Sequence, residues 1–249
     1  MNRFDGKRVL ITGGTSGFGL EAAKMIVAEG GEVAVTGHSQ DHLDEAGSAL
    51  PSGSLVLRND ASDPEAAKEL ADKVREQMDG LDGLWLNAGY GKFLDNKDND
   101  AETFDAMMNT NVRGPVLQMA GLMDQLNDGA SVLLTSSVAP YLGQAQGTIY
   151  AATKAACVSI ARSWSSALAE RDIRVNAVAP GPIDTNFVER TGMSEEEQAN
   201  FAERIKKQVP LRRFGEAAEV AKVALFLLSD DASYVTGSEY FVDGGMTKR

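Results

Sequence analysis

Tyr150 and Lys154 lie four residues apart in the segment Tyr150-Ala151-Ala152-Thr153-Lys154. In a helix that spacing puts both side chains on one face, one turn apart. The pair has a chemical use. A free phenol holds its proton up to a pKa of about 10, and a neighbouring ammonium stabilises the phenolate, so the two together can pass a proton to or from an alcohol oxygen near neutrality. The same spacing also describes an ordinary surface pair, so other residues must decide. Ser136-Ser137 lies upstream, and near the N-terminus Thr12-Gly13-Gly14-Thr15-Ser16-Gly17-Phe18-Gly19 runs into Leu20-Glu21-Ala22. Glycines crowded between a strand and a helix permit a tight turn and a close approach of bare N–H groups to a phosphate.

The elements that must position these groups are legible as alternating patterns. Short, mostly apolar runs at Arg8–Thr12, Glu32–Thr36, Ser54–Leu57, Gly83–Leu86, Ser131–Thr135, Arg174–Ala179 and Glu239–Val242 read as strands covered on both faces. Helical patterns at Gly19–Glu29, Pro64–Met78, Glu102–Leu126, Tyr150–Glu170 and Ala217–Ser229 separate them. This alternation predicts an α/β fold with a doubly wound parallel sheet, a three-layer sandwich in one domain over 1–249. The polar stretches Asp95–Asp100 and Ser194–Lys207 read as solvated faces. The second follows Pro180-Gly181 at the carboxyl edge of the sheet, and residues 186–210 are expected to form a lid over substrate.

The glycine spacing, three residues between Gly13 and Gly17 and one more before Gly19, resembles the short-chain dehydrogenase/reductase family. Asp60 after the third strand, Asn87-Ala88-Gly89 after the fourth, the Tyr150…Lys154 segment and Pro180-Gly181 after the sixth match that family in chain order, and the resemblance spans essentially the whole chain. It implies a Rossmann-like fold and hydride transfer between a nicotinamide dinucleotide and a ketone or secondary alcohol, with no metal. The implied catalytic group is Tyr150 as acid/base, Lys154 as its tuner, Ser137 to hold the substrate oxygen, and Asn111 with a carbonyl left for a water. Ser137 rather than Ser136 is indicated because the family serine lies thirteen positions before the tyrosine. The sequence adds a reason for Asn111: Pro115, four residues on, has no N–H to donate to that carbonyl. The implied cofactor contacts are Gly13, Thr15, Ser16, Gly17, Phe18, Gly19, His38, Ser39, Asp60, Ala61, Asn87, Ala88, Gly89, Tyr150, Lys154, Pro180, Gly181, Ile183 and Thr185. Leu86 departs from the family, which commonly has Asn there, so apolar packing replaces one buried hydrogen bond.

The end of the second strand, Val35-Thr36-Gly37-His38-Ser39, bears on the cofactor. Gly37 stands where users of NAD often place Asp and His38 where users of NADP often place Arg, so the reading leans to NADP(H) over NAD(H). Tyr141, Leu142, Gln144 and Phe187, with Tyr90 and Phe93, outline a largely apolar substrate pocket. Small residues along the Tyr150 helix, by family analogy, point to a homotetramer. A cofactor-binding regulator without turnover is the alternative, and the presence of the serine, tyrosine and lysine argues against it.

Composition bounds the rest. The chain has 249 residues, 43% of them hydrophobic and 24% charged, which is ordinary for a globular protein. A net charge of -12 disfavours nucleic-acid and anionic membrane partners. Cys157 is the single cysteine, so no disulfide forms within the chain, and a cytoplasmic enzyme is expected, without a signal region or membrane span. Cys157 itself reads as a packing residue in an Ala-rich helix. Two histidines and one cysteine, scattered along the chain, do not make a metal site.

Overall fold

The computed structural model describes residues 2–184 and 195–248, with the side chains of 195–199 and 201 excepted. Thr185 and Phe187, and part of the expected lid, lie outside the described residues. Seven parallel strands form one sheet: β1 (Arg8–Thr12), β2 (Glu32–Gly37), β3 (Leu55–Arg58), β4 (Leu81–Leu86), β5 (Leu126–Thr135), β6 (Arg174–Pro180) and β9 (Glu239–Val242). Their order is β3-β2-β1-β4-β5-β6-β9, and two short strands, β7 (Ile183–Asp184) and β8 (Gly215–Glu216), pair separately. The order reverses direction beside β1, which makes the crevice at the carboxyl ends of β1 and β4 the place where such sheets bind ligands.

Alternation along the strands divides the core into two layers. Leu10, Leu84, Leu86, Val132, Leu134 and Val175 face α3 (Pro64–Gln77), α5 (Gly114–Leu122) and α7 (Thr148–Ala167). Val9, Ile11, Val33, Val35, Trp85 and Leu133 face α1 (Gly17–Ala28), α2 (Gln40–Ala49) and α9 (Ala217–Leu228). Leu86 is buried in the first layer, so the family's missing Asn is replaced by core. Arg174 opens β6 almost fully buried, with its guanidinium donating to the carbonyls of Leu227 (2.9 Å) and Ser229 (2.8 Å) at the end of α9. A cation there shares these carbonyls with the Ser131 hydroxyl and the Ala232 N–H and complements the helix dipole. Burial lowers its pKa below the usual arginine value, with Asp230 opposing.

Two expectations need correction. The helix read over Glu102–Leu126 is α4 (Ala101–Met108), a π-turn over Asn109–Arg113, α5 and a short 3-10 turn, with β5 beginning at Leu126. Pro115 cannot donate to Asn111, and the chain accommodates that by widening to a π-turn. Gly114, which follows it and opens α5, permits contact with the neighbouring segment, since a Cβ there would lie 2.3 Å from the Ala61 carbonyl oxygen. Helix α2 has no counterpart in the sequence reading because only Leu43 and Ala46 of its ten residues are buried, too few for a clear apolar stripe. The polar stretch at 194–207, read as a solvated face, carries the helix α8 (Glu195–Gln208). α6 (Ala139–Leu142) completes the helices among the described residues.

Candidate active site

The strands are parallel, so the segments following β1, β4, β5 and β6 all emerge on one edge of the sheet. After β1, Gly13 (φ 62°) and Gly17 (φ 55°) take left-handed backbone angles that other residues rarely adopt. A Cβ on Gly13 would lie 2.8 Å from the Ala88 Cα, so the glycine lets the β1 and β4 turns close on each other. Helix α1 then starts with its cap residue Ser16 making no side-chain hydrogen bond and with no acid in its first turn. Uncapped N–H groups at a positive helix end, with no carboxylate competing, fit the diphosphate of a dinucleotide. Phe18 stacks on Trp85 at 6.0 Å, anchoring that turn to the second core layer.

Asn87 fastens the glycine turn to the sheet. Its side-chain amide donates to the Gly13 carbonyl (3.1 Å), and its backbone N–H donates to the Thr12 hydroxyl (3.0 Å). Its Oδ1 accepts from the Thr135 hydroxyl (2.9 Å), which in turn accepts from Trp85 Nε1 (2.9 Å). The carbonyl of the same Thr135 accepts from Lys154 Nζ at 3.0 Å. Thr135 is thus the joint between the glycine turn and the Tyr150 helix. The sequence reading missed it and Thr12, although a hydroxyl residue ending an otherwise apolar buried strand is the signal that could have found both.

Lys154 is 4% exposed and has no carboxylate within ion-pair distance among the described residues. Its ammonium lies 5.9 Å from the centroid of the Tyr150 ring. A buried, unpaired ammonium is costly and persists where it has work to do. Gly89 makes room for it, since a Cβ there would lie 3.1 Å from Nζ. Phe93 tilts against the Tyr150 ring at 5.4 Å, and a Cβ on Gly91 would lie only 3.1 Å from that ring, so the glycine lets the backbone pass close against it.

Ser137 is nearly buried at the end of β5, and its Oγ accepts from the Ala139 N–H (3.2 Å). Its own proton finds no acceptor among the described residues and remains available to a bound oxygen. The Ser136 hydroxyl is engaged by Glu239 Oε1 (2.7 Å) and the Val178 carbonyl (3.0 Å), unlike that of Ser137. Asn111 is buried, but what it does differs from the expectation of a carbonyl left free. Its side chain clamps the Tyr90 backbone through both N–H (3.0 Å) and C=O (2.8 Å) and donates to Thr153 (3.0 Å), while its carbonyl receives the Cys157 thiol at 3.4 Å. The thiol stays protonated to do so, since burial raises its pKa, with Lys154 opposing.

The remaining candidates are spread along the same edge. Thr15 is buried, and a Cβ on Gly37 would lie 2.1 Å from its hydroxyl. His38 is exposed and Ser39 caps α2 without a side-chain hydrogen bond. Asp60 accepts from the Ser62 N–H and hydroxyl, both at 2.8 Å. Burial raises its pKa, but those bonds and the charge of His38 outweigh that and hold the carboxyl below its usual value. Ala61 lies against Gly114 at the start of α5, and Ile183 pairs with Gly215. Pro180 ends β6, and a Cβ on Gly181 would lie 2.7 Å from the Asp243 Cα. Leu142 packs under Val138, Val209 and Met246, and Gln144 is exposed. Tyr141 is half exposed, its hydroxyl donating to Glu239 and its ring packing edge-on against Phe241 at 5.0 Å. Partial burial of that hydroxyl, with the hydrogen bond and charge of Glu239, pushes the phenol up to about 12. Among the described residues no group of three or more His, Cys, Asp or Glu is placed to hold a metal ion, and no helix is long and apolar enough to cross a membrane.

A family model described as enoyl-(acyl carrier protein) reductase matches residues 13–247. The 3-oxoacyl-[acyl-carrier-protein] reductase FabG of Thermotoga maritima is 35% identical over 98% of this chain and 99% of its own length. The chain belongs to the short-chain dehydrogenase/reductase family. A crystal structure of levodione reductase superposes with a TM-score of 0.92 at 33% identity, covering 98% of this chain and 99% of that one. A blue fluorescent protein from a metagenomic library, in complex with NADPH, gives 0.89 at 27% identity, with 97% and 98% covered. As a family member the chain is an oxidoreductase of the type that acts on CH–OH groups.

Proposed function

We propose that this short-chain dehydrogenase/reductase interconverts a ketone and a secondary alcohol with a preference for NADP(H), in the cytoplasm and as a homotetramer. The observation that carries the reading is Lys154, buried without a counter-ion among the described residues and held by the Thr135 carbonyl beside the Tyr150 ring. A nicotinamide dinucleotide laid along the glycine turn would supply or accept the hydride. Tyr150 gives the proton to the carbonyl oxygen in reduction and takes it back in oxidation, and the nearby ammonium stabilises the phenolate left behind. Ser137, whose proton is uncommitted within the described chain, holds the substrate oxygen against Tyr150. Asn111 fixes the Tyr90 segment to the Tyr150 helix and so sets the width of the site.

The NADP(H) preference is supported by the Gly37–Thr15 contact. No side chain fits at 37 without displacing Thr15, so the acid that would bind a ribose diol and repel a 2′-phosphate has no place there. Exposed His38 can offer that phosphate a donor. The exposed aromatics Tyr90 and Phe93, the second packed on the Tyr150 ring, support an apolar, flat or cyclic substrate. Exposed Phe104 and Val116 on α4 and α5 support self-association, and sedimentation as a monomer at micromolar concentration would refute it. Loss of NADPH and NADH absorbance with a panel of aryl and cyclic ketones tests the main reading. Faster turnover with NADPH, abolished in Tyr150→Phe while cofactor binding persists, is expected. Binding of NADPH without turnover of any ketone would favour a sensor instead.

A further inference from the structure

Ser137 is held by a device that neither the sequence pattern nor the proposed chemistry calls for. Its Oγ is aimed by the N–H of Ala139, the first residue of α6, so the direction of the Ser137 hydroxyl depends on where α6 sits. The β5 side of the segment is secured by backbone bonds to β6, from Ser136 N–H to Val178 O (2.8 Å) and from Val138 N–H to Pro180 O (3.2 Å). Helix α6 has only four residues and ends at Gly143 with a left-handed φ of 59°, so its own hydrogen bonds cannot fix it. Leu142 packs against Val209 and Met246 and the Tyr141 ring against Phe241, and the polar tie is Glu239 on β9. That carboxylate accepts from Ser136 on one side of Ser137 (2.7 Å) and from Tyr141 on the other. Two hydroxyl donors converging on one half-buried group need an acceptor with two oxygens and no proton of its own, which a carboxylate supplies and an amide does not.

We infer that Glu239 is a positioning residue for Ser137, setting the serine hydroxyl through Tyr141 and helix α6 without touching substrate. The inference rests on the oxidoreductase reading given above for its kinetic consequence, but its structural half stands alone. Displacement of a positioned group by about an ångström costs up to about 100-fold in rate.

The test is steady-state kinetics on Glu239→Ala, Glu239→Gln, Tyr141→Phe and Ser137→Ala, with the double variant Glu239→Ala/Ser137→Ala to close the cycle. Glu239→Ala is expected to lower kcat by about 10- to 100-fold with NADPH affinity unchanged, Tyr141→Phe by less, and Glu239→Gln to recover part of the loss. In the Ser137→Ala background the same Glu239→Ala change should cost almost nothing, because the group it positions is gone. An equal loss in both backgrounds, a parallel loss of NADPH affinity, or a wild-type kcat in Glu239→Ala overturns the inference. Hydrogen–deuterium exchange on the wild type and Glu239→Ala is independent of turnover. Faster exchange over 138–143, with 13–19 unchanged, is expected, and unchanged exchange over 138–143 overturns the anchoring even if no ketone is turned over. Absence of turnover in the wild type would instead remove the oxidoreductase reading.

Discussion

The glycine turn after β1 and the Tyr150 helix face the same crevice but are built from different materials. The first works through what is absent: no Cβ at Gly13, no side chain at Gly37, no cap on α1 and no acid in its first turn. The second works through what is present, namely a buried ammonium, a phenol and two hydroxyl-bearing residues around them. The difference teaches where each half is fragile. Side-chain deletion should cripple the second half and leave the first standing, whereas adding a single methyl group should damage the first and spare the chemistry of the second. Thr135 joins them, its hydroxyl serving Asn87 and the glycine turn and its carbonyl serving Lys154.

Substitutions can break this contrast in order of size. Tyr150→Phe is expected to lower turnover by about 10²- to 10⁴-fold with little change in stability or in NADPH affinity. Ketone reduction rates and NADPH fluorescence titration check the two halves of that statement. Arg174→Met lies in neither half and should act on stability alone. It removes the guanidinium bonds to the Leu227 and Ser229 carbonyls, which keep the Ser131 hydroxyl and the Ala232 N–H as donors, at a cost of about 1.5 to 3 kcal/mol for a lost hydrogen bond to a charged group. Urea denaturation reads it, and a kcat that fell while stability held would contradict the assignment.

Gly13→Ala sharpens the contrast from the other side. A residue forced into left-handed angles costs about 1 to 3 kcal/mol, and here the added Cβ also meets the Ala88 backbone. The expectation is weaker NADPH binding with the kcat of the saturated enzyme little altered. The smallest effect is a pH dependence at the Asp243 turn, which supports Gly181. Burial raises the Asp243 pKa, but hydrogen bonds from the Thr247 N–H and hydroxyl and the Gly245 N–H outweigh it and leave the carboxyl below its usual value. A carboxyl depressed in the folded state adds stability that is present above its unfolded pKa of 3.8 and lost as pH falls through the lower folded value. Asp243→Asn should therefore lower Tm at neutral pH and flatten the acid limb of stability between that folded value and 3.8.

Sequence reading located the strands and set Tyr150 and Lys154 on one helix because both rest on local signals, apolar runs and a four-residue spacing. It placed β1 at Arg8–Thr12 and β9 at Glu239–Val242, where the structure has them. It did not find the π-turn, although Pro115 was noticed, because a proline states which hydrogen bond is lost and not how the helix adjusts. Nor did it find Glu239, whose partners Ser136 and Tyr141 lie about a hundred residues away in the chain. Convergence over that distance is fixed by the pairing of β9 beside β6, which no window of local sequence contains. A hydroxyl ending an apolar strand marks Thr135 in the sequence, but its role as a joint exists only once β4 and α7 are packed on either side.

The central claim is that Tyr150, tuned by buried Lys154, moves the proton while the glycine turn holds the dinucleotide. A single-turnover experiment tests it most directly, mixing NADPH-loaded wild type or Tyr150→Phe with a cyclic ketone and following absorbance. Rapid NADPH consumption by the wild type, and consumption slowed at least 100-fold in a variant that still binds NADPH as tightly, is the predicted result. Equal rates for the two proteins would contradict it.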